Sequence, residues 1–168
     1  RATGARQRVG YASYQYAQLH NHQAPSPLLL WGQQKTHSVE QQLALLGWTG
    51  VPVSDRPRTK LAVTAAANAR IDEILRASGL TDKKFALIHP AAAFATKQWA
   101  ATSFAKVADY LTANGIAAVA IAGPSEGDVL NSLIGAAESP VVACAVSLPE
   151  VSALASRASL FLGNDSGI

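Results

Sequence analysis

From Phe85 to Gly163 the chain repeats one pattern: a short apolar run, a loop, then residues at helical spacing. Strands are expected near 85–89, 117–122, 141–145 and 160–163, with helices near 102–114, 126–137 and 149–157. Ser147 with Glu150 three residues on reads as a capping box, and Pro149 suits the first turn of that helix. Strands that are apolar throughout and alternate with helices imply a parallel sheet covered on both faces, hence an α/β fold. No other feature restricts the architecture as much. In such folds ligands bind at the carboxyl ends of the strands, and phosphates are taken by backbone N–H groups of the loop and following helix.

The earlier part of the chain is less regular. Arg8 to Tyr11 reads as a short strand, and residues 12–36 as a long irregular loop of Gln, His, Pro and aromatics without a steady period. His37 to Leu46 places Val39, Leu43 and Leu46 on one face, so a helix is expected there, ended by Gly47. Gly50 to Pro57 is punctuated by prolines and charges, as a domain linker would be. Leu61 to Val63 is a further strand candidate. Thr64 then caps an alanine-rich helix through about Ala77, terminated by Gly79.

Of the 168 residues 49% are apolar and 15% charged, a globular composition with ample material for a core. No apolar run approaches the ~18–20 residues of a membrane span. No secretory signal is recognisable, although Arg1 is not a natural start. The single cysteine, Cys144, lies in the apolar run Val141 to Val146 and reads as a buried structural thiol, in keeping with a reducing cytoplasm. The net charge of +3 is uneven: residues 1–60 carry seven basic against two acidic residues, or +5, and the remainder seven against nine, or −2. A basic half suits an anionic partner such as a phosphorylated glycolipid, a membrane surface or nucleic acid; ordinary solvated surface is the competing explanation.

Three loops carry the candidate chemistry. Phe85-Ala86-Leu87-Ile88-His89 runs into Pro90-Ala91-Ala92-Ala93-Phe94-Ala95-Thr96-Lys97-Gln98-Trp99. Ala117 to Ala122 runs into Gly123-Pro124-Ser125-Glu126, and Leu160 to Gly163 into Asn164-Asp165-Ser166-Gly167. In order and spacing these loops resemble the carboxyl-terminal domain of glycosyltransferase family 9, the ADP-heptose:lipopolysaccharide heptosyltransferases. That family carries H-P-G-A-G-x-x-x-K-x-W, G-G-P-x-E and G-N-D-S-G loops. More weakly, His37 to Gly47 is similar to the last helix of the family's amino-terminal domain. The resemblance implies a GT-B fold, two Rossmann-like α/β domains facing across a cleft. Residues 1–57 would be the end of the acceptor-binding domain and 58–168 the larger part of the nucleotide-sugar domain, the chain being a fragment truncated at both ends.

The resemblance also implies roles for single residues, each with a plainer explanation beside it. Lys97 would neutralise the donor diphosphate, where negative charge grows as the nucleotide departs; a solvated lysine is the plain alternative. Ala92 and Ala93, with Ala91, stand where the family has Gly-Ala-Gly or threonines. Their smallness lets backbone approach phosphate, so binding is placed on their amides, although alanine lacks glycine's access to positive φ. Glu126 would accept hydrogen bonds from the ribose hydroxyls, but a carboxylate in a first helical turn is also a routine dipole partner. Val146 would give adenine an apolar wall, or simply pack in the core. The amides of Ser166 and Gly167 would grip phosphate, while Asp165 would orient sugar hydroxyls or brace the loop; an aspartate capping the next helix is the alternative. His89 reads as a satisfied histidine at a strand end, and Trp31, Trp48 and Trp99 as packing residues.

No G-x-G-x-x-G follows a strand, so a nicotinamide or flavin dinucleotide site loses its main support, and no G-x-x-x-x-G-K-S/T occurs, which removes the P-loop nucleotidases. His and Cys spacings match no metal site. The implied activity is inverting, metal-independent transfer of heptose from ADP-heptose to the lipopolysaccharide inner core, with no cofactor beyond the nucleotide-sugar donor. The family's general base is an aspartate expected in a missing amino-terminal segment. No catalytic residue is therefore assigned here, and the fragment alone is expected to be inactive. The implied partners are the donor and a phosphorylated glycolipid acceptor, without nucleic acid. The implied location is cytoplasmic, with peripheral contact at the inner face of the inner membrane. The alternatives are another GT-B enzyme using a UDP-sugar, either transferase or epimerase, and a non-catalytic family member acting as a binding module.

Overall fold

The computed structural model describes residues 4–33, 35–55 and 60–165. The chain divides into two compact units, Arg1–Thr59 and Lys60–Ile168. The linker boundary expected at 57/58 lies outside the described residues.

In the first unit, strands β1 (Val9–Tyr11) and β2 (His22–Ala24) pair in parallel, with Val9 opposite His22 and Tyr11 opposite Ala24. A 3-10 turn at Ala17–Leu19 makes the crossing between them. Helix α1 (Leu28–Trp31) and helix α2 (Ser38–Trp48) follow. The stretch expected to be irregular thus holds a strand and a short helix. β2 reads His-Gln-Ala and has no apolar alternation, so its strand character comes from pairing with β1 rather than from its own side chains.

α2 starts as the sequence suggests, one residue later. His37 is its N-cap, and the His37 backbone N–H donates to Glu40 Oε2 at 3.0 Å. The helix does not end at Gly47. A Cβ placed there would come within 2.9 Å of the Leu30 side chain, so this glycine lets α1 pack closely on α2. The chain turns out of the helix at Gly50, whose φ of +91° suits glycine.

The second unit opens with α3 (Ala65–Ala77), capped by Thr64, whose hydroxyl accepts from the Ala67 N–H at 3.1 Å. Gly79 ends it with φ +66°. The strand expected at 61–63 does not form: these residues join no sheet, and Leu61 is 82% exposed. A strand, helix, strand succession then runs through β3 (Phe85–His89), α4 (Ala101–Ala113), β4 (Ala117–Ile121), α5 (Gly127–Ala136), β5 (Val141–Cys144), α6 (Leu148–Ala155) and β6 (Leu160–Gly163). All pairings are parallel and the spatial order is β5-β4-β3-β6.

Side-chain alternation assigns the two faces. Phe85, Leu87, Val119 and Ile121 pack with Ile71 and Leu75 of α3 and with Ala153 and Leu154 of α6. Ile88, Ala118 and Ala120 face the other way, onto Phe104 and Ala108 of α4 and Leu133 of α5. From β3 the chain steps outward to β4 and β5 over one face. It then returns over the other face to place β6 beside β3, as right-handed crossovers require. The direction of winding therefore reverses at β3, and the crevice between the carboxyl ends of β3 and β6 is the switch point where such sheets take ligands. The unit is a Rossmann-like parallel sheet with helices on both faces.

Candidate functional site

Because every strand runs the same way, the loops after β3, β4, β5 and β6 all emerge at one edge of the sheet. The loop after β3 carries a 3-10 turn at Ala95–Lys97. The Lys97 ammonium donates to Asp165 Oδ2 at 2.6 Å, so lysine and aspartate meet across the switch point. Both side chains are open to solvent, at 48% and 84% exposure, and an ion pair so exposed contributes little to stability. The hydrogen bond from Lys97, reinforced by its charge, holds the Asp165 carboxyl below its ordinary range. Asp165 thus braces the lysine loop in this structure.

Asn164, the first residue after β6, fastens the same loop at two places. Its Nδ2 donates to the Pro90 carbonyl at 2.8 Å, and its Oδ1 accepts from the Trp99 N–H at 2.9 Å. One amide thereby fixes the start and the end of the ten-residue stretch that holds Lys97. The sequence marks Asn164 as a turn former, and nothing local in it discloses partners so distant along the chain. Farther round, the Trp99 ring meets Phe104 of α4 edge to face at 5.2 Å. Within the loop the Ala92 N–H donates to Gln98 Oε1 at 3.2 Å, so a phosphate using that amide must displace Gln98. Ala93 is exposed, and among the described residues no alanine adopts positive φ. Alanine in place of glycine therefore introduces no backbone strain here. Ser166 and Gly167 lie outside the described residues.

Glu126 is the N-cap residue of α5 but makes no side-chain cap; Asp128 supplies the acid of the first turn. Instead the Glu126 carboxylate turns back, and its Oε2 accepts the Gly123 N–H at 2.6 Å and meets His89 Nε2 at 3.0 Å. The Gly123 hydrogen bond lowers its pKa most, partial burial opposes the shift, and His89 adds to the lowering. Glu126 is therefore a held carboxylate, and helix-dipole duty falls to another residue.

Val146 lines an apolar cleft of about 250 Å³ between the loops after β4 and β5, with Ile121, Ala122, Pro124, Leu148 and Val151. The next residue, Ser147, forms the expected capping box: its N–H and hydroxyl both donate to Glu150 Oε2, at 2.6 and 2.8 Å. That bond fixes one lip of the cleft. Cys144 at the end of β5 is buried, and burial pushes its thiol up, as suits an inert core residue. Among the described residues no three His, Cys, Asp or Glu side chains gather as a metal cluster. Nor is any helix among them long and apolar enough to cross a membrane.

Comparison with known proteins gives a consistent result. The model of the family described as "Glycosyltransferase family 9 (heptosyltransferase)" matches residues 1–168. A solved glycosyl transferase family 9 protein from Veillonella parvula superposes with a TM-score of 0.70 at 20% identity, covering 97% of this chain and 46% of that one. The Escherichia coli ADP-heptose lps heptosyltransferase II superposes with a TM-score of 0.62 at 16% identity, covering 98% of this chain and 52% of the other. The present chain thus spans about half the length of these solved relatives. No curated protein matches it.

Proposed function

The chain belongs to glycosyltransferase family 9, and from that premise we propose that it is part of an enzyme that transfers heptose from ADP-heptose to the lipopolysaccharide inner core. The second unit, taken from about residue 58, would hold the nucleotide-sugar, and residues 1–57 would close the acceptor-binding domain. The observation that carries this reading is the convergence of a lysine, a held carboxylate and an apolar cleft at one edge of a parallel sheet. Each suits one part of the donor. The cleft beside Val146 accepts a flat base, Glu126 faces the ribose, and Lys97 at the switch point meets the diphosphate.

In the proposed reaction the acceptor hydroxyl loses its proton to a general base assigned to no residue of this chain. Its oxygen attacks the anomeric carbon, the bond to the diphosphate oxygen breaks, and ADP leaves with inversion. No metal or cofactor is assigned to the chemistry. Lys97 stabilises the charge that accumulates on the leaving diphosphate. Its present partner Asp165 is a single carboxylate in water, which a diphosphate of higher charge can displace. Amides of Ala93, Ser166 and Gly167, and that of Ala92 once Gln98 moves, would complete the phosphate cradle. The acceptor is a phosphorylated glycolipid, to which the basic charge of residues 1–60 is suited. Such an enzyme would work in the cytoplasm, against the inner membrane surface.

Calorimetry on the full-length protein tests the donor assignment. ADP should bind more tightly than UDP, and Glu126→Gln should weaken ADP. Hydrogen bonds to charged groups contribute ~1.5–3 kcal/mol, so the loss should be on the order of ten- to a hundredfold. Equal affinity for the two nucleotides, or tighter UDP, would favour a different GT-B enzyme acting on UDP-sugars. Absence of any nucleotide binding would favour a non-catalytic binding module.

A further inference from the structure

We propose that His89 is a positioning residue that sets how Glu126 meets the ribose hydroxyls; this rests on the reading of Glu126 given above. His89 ends β3, an inner strand of the sheet, opposite Gly163 of β6. It is 1% exposed, and among the described residues it is the one polar side chain buried in the core. An aliphatic residue would fill that position without desolvating a polar ring, so a histidine there calls for a polar task.

The geometry supplies one. His89 Nε2 and the Gly123 N–H converge on the same oxygen, Glu126 Oε2, at 3.0 and 2.6 Å. A carboxylate is acceptor-only, so His89 must present Nε2–H to it. A Cβ built on Gly123 would press on that oxygen at 3.0 Å, so glycine at 123 leaves room for this return. Two donors on one oxygen fix the plane of the carboxylate. The other oxygen, Oε1, has no hydrogen-bond partner among the described residues, and the side chain keeps 28% exposure. A carboxylate oxygen held in this way is pre-set to accept from the adjacent hydroxyls of a ribose, and pre-setting removes an ordering cost from binding. Glu126 is the contact, and His89 acts through it.

The test compares ADP with 2′,3′-dideoxy-ADP, which lacks the hydroxyls in question, by calorimetry on the full-length protein. The unaltered protein should prefer ADP by at least about tenfold, and Glu126→Ala should abolish the preference. His89→Leu should cut the preference several-fold while leaving dideoxy-ADP affinity unchanged, and His89→Gln, which can donate to the same oxygen, should restore it. If His89→Leu weakens both nucleotides in parallel and keeps the preference, His89 is merely structural and the proposal is overturned. If Glu126→Ala removes the preference but His89→Leu does not, positioning fails while the ribose reading stands. If Glu126→Ala leaves the preference intact, the ribose reading fails and takes this inference with it. Should His89→Leu not fold, nitrogen NMR of the His89 ring in the unaltered protein decides. Nε2 must carry the proton with and without ADP, and a bare Nε2 overturns the proposal.

Discussion

Lys97 illustrates how a surface ion pair and a working charge differ. Paired with Asp165 in water it does little for stability; in the proposed reaction the same charge would meet negative charge growing on a departing diphosphate. In the intact enzyme Lys97→Ala should therefore lower turnover about 10²–10³-fold, the loss typical for one oxyanion donor, and raise the donor KM much less. Steady-state kinetics of heptose transfer would show the split, and unchanged turnover with a higher KM would remove Lys97 from the chemistry. Melting temperature should barely move, because the pair is exposed. At this scale the sequence disclosed which residue types were available, and little of their pairing. Lys97, Glu126 and Asp165 stood out by type and place. That Glu126 turns away from its own helix toward His89, and that Asn164 fastens Pro90 and Trp99, depends on neighbours brought close only by folding.

Elements were legible in proportion to their apolar content. β3 and β6 occur at the residues expected, and the strands and helices between them shift by one or two positions, because such strands announce themselves as continuous apolar runs, whether buried like β3 or partly exposed like β6. β2 and the failed strand at 61–63 are the converse. Two polar residues and one alanine pair with β1, whereas Leu61 and Ala62 stay exposed without pairing. Helix α4 joins core and site: Phe104 is buried under the sheet and touches the Trp99 ring at the end of the lysine loop. Phe104→Ala should cost about 3–5 kcal/mol in urea unfolding, as large-to-small changes of buried aromatics do. Tyr110→Ala on the same helix, where the ring is 68% exposed, should stay within about 0.5 kcal/mol. Similar losses for both would mean that α4 buries a different face.

For the whole molecule, stability should have a plateau bounded on both sides by titration. Asp109, Glu126, Glu150 and Asp165 all have carboxyls held below their ordinary range, chiefly by backbone N–H groups of Ser139, Gly123 and Ser147 and by the Lys97 side chain. A depressed folded-state pKa gives stability that is present above the unfolded value, about 4, and is lost as pH falls through the folded value. On the alkaline side burial raises Cys144, so its contribution is present below about pH 8.5 and fades above it. The melting temperature should be flat near neutrality, fall below about pH 4, with little of the loss coming from the solvent-exposed Asp165, and decline again above about pH 8.5. A protein that melts at higher temperature at pH 3 than at pH 6 would contradict this. The parallel sheet with two covered faces was legible from sequence because it rests on a pattern spread over eighty residues, where single errors average out.

The two bonds of Asn164 span 65 and 74 residues of chain, and the ion pair of Asp165 spans 68. A polypeptide growing from its amino end therefore makes the lysine loop long before it makes the residues that fasten it. Contacts so remote form late, because chain closure must come first. Until β6 lies beside β3, the loop lacks its ties at Pro90, Lys97 and the Trp99 N–H, although the Trp99 ring on Phe104 and the Ala92–Gln98 bond still restrain it. The fastened form of the lysine loop is thus reached only after β6 has been made, so any hold on phosphate that the loop would supply comes late in the order of synthesis.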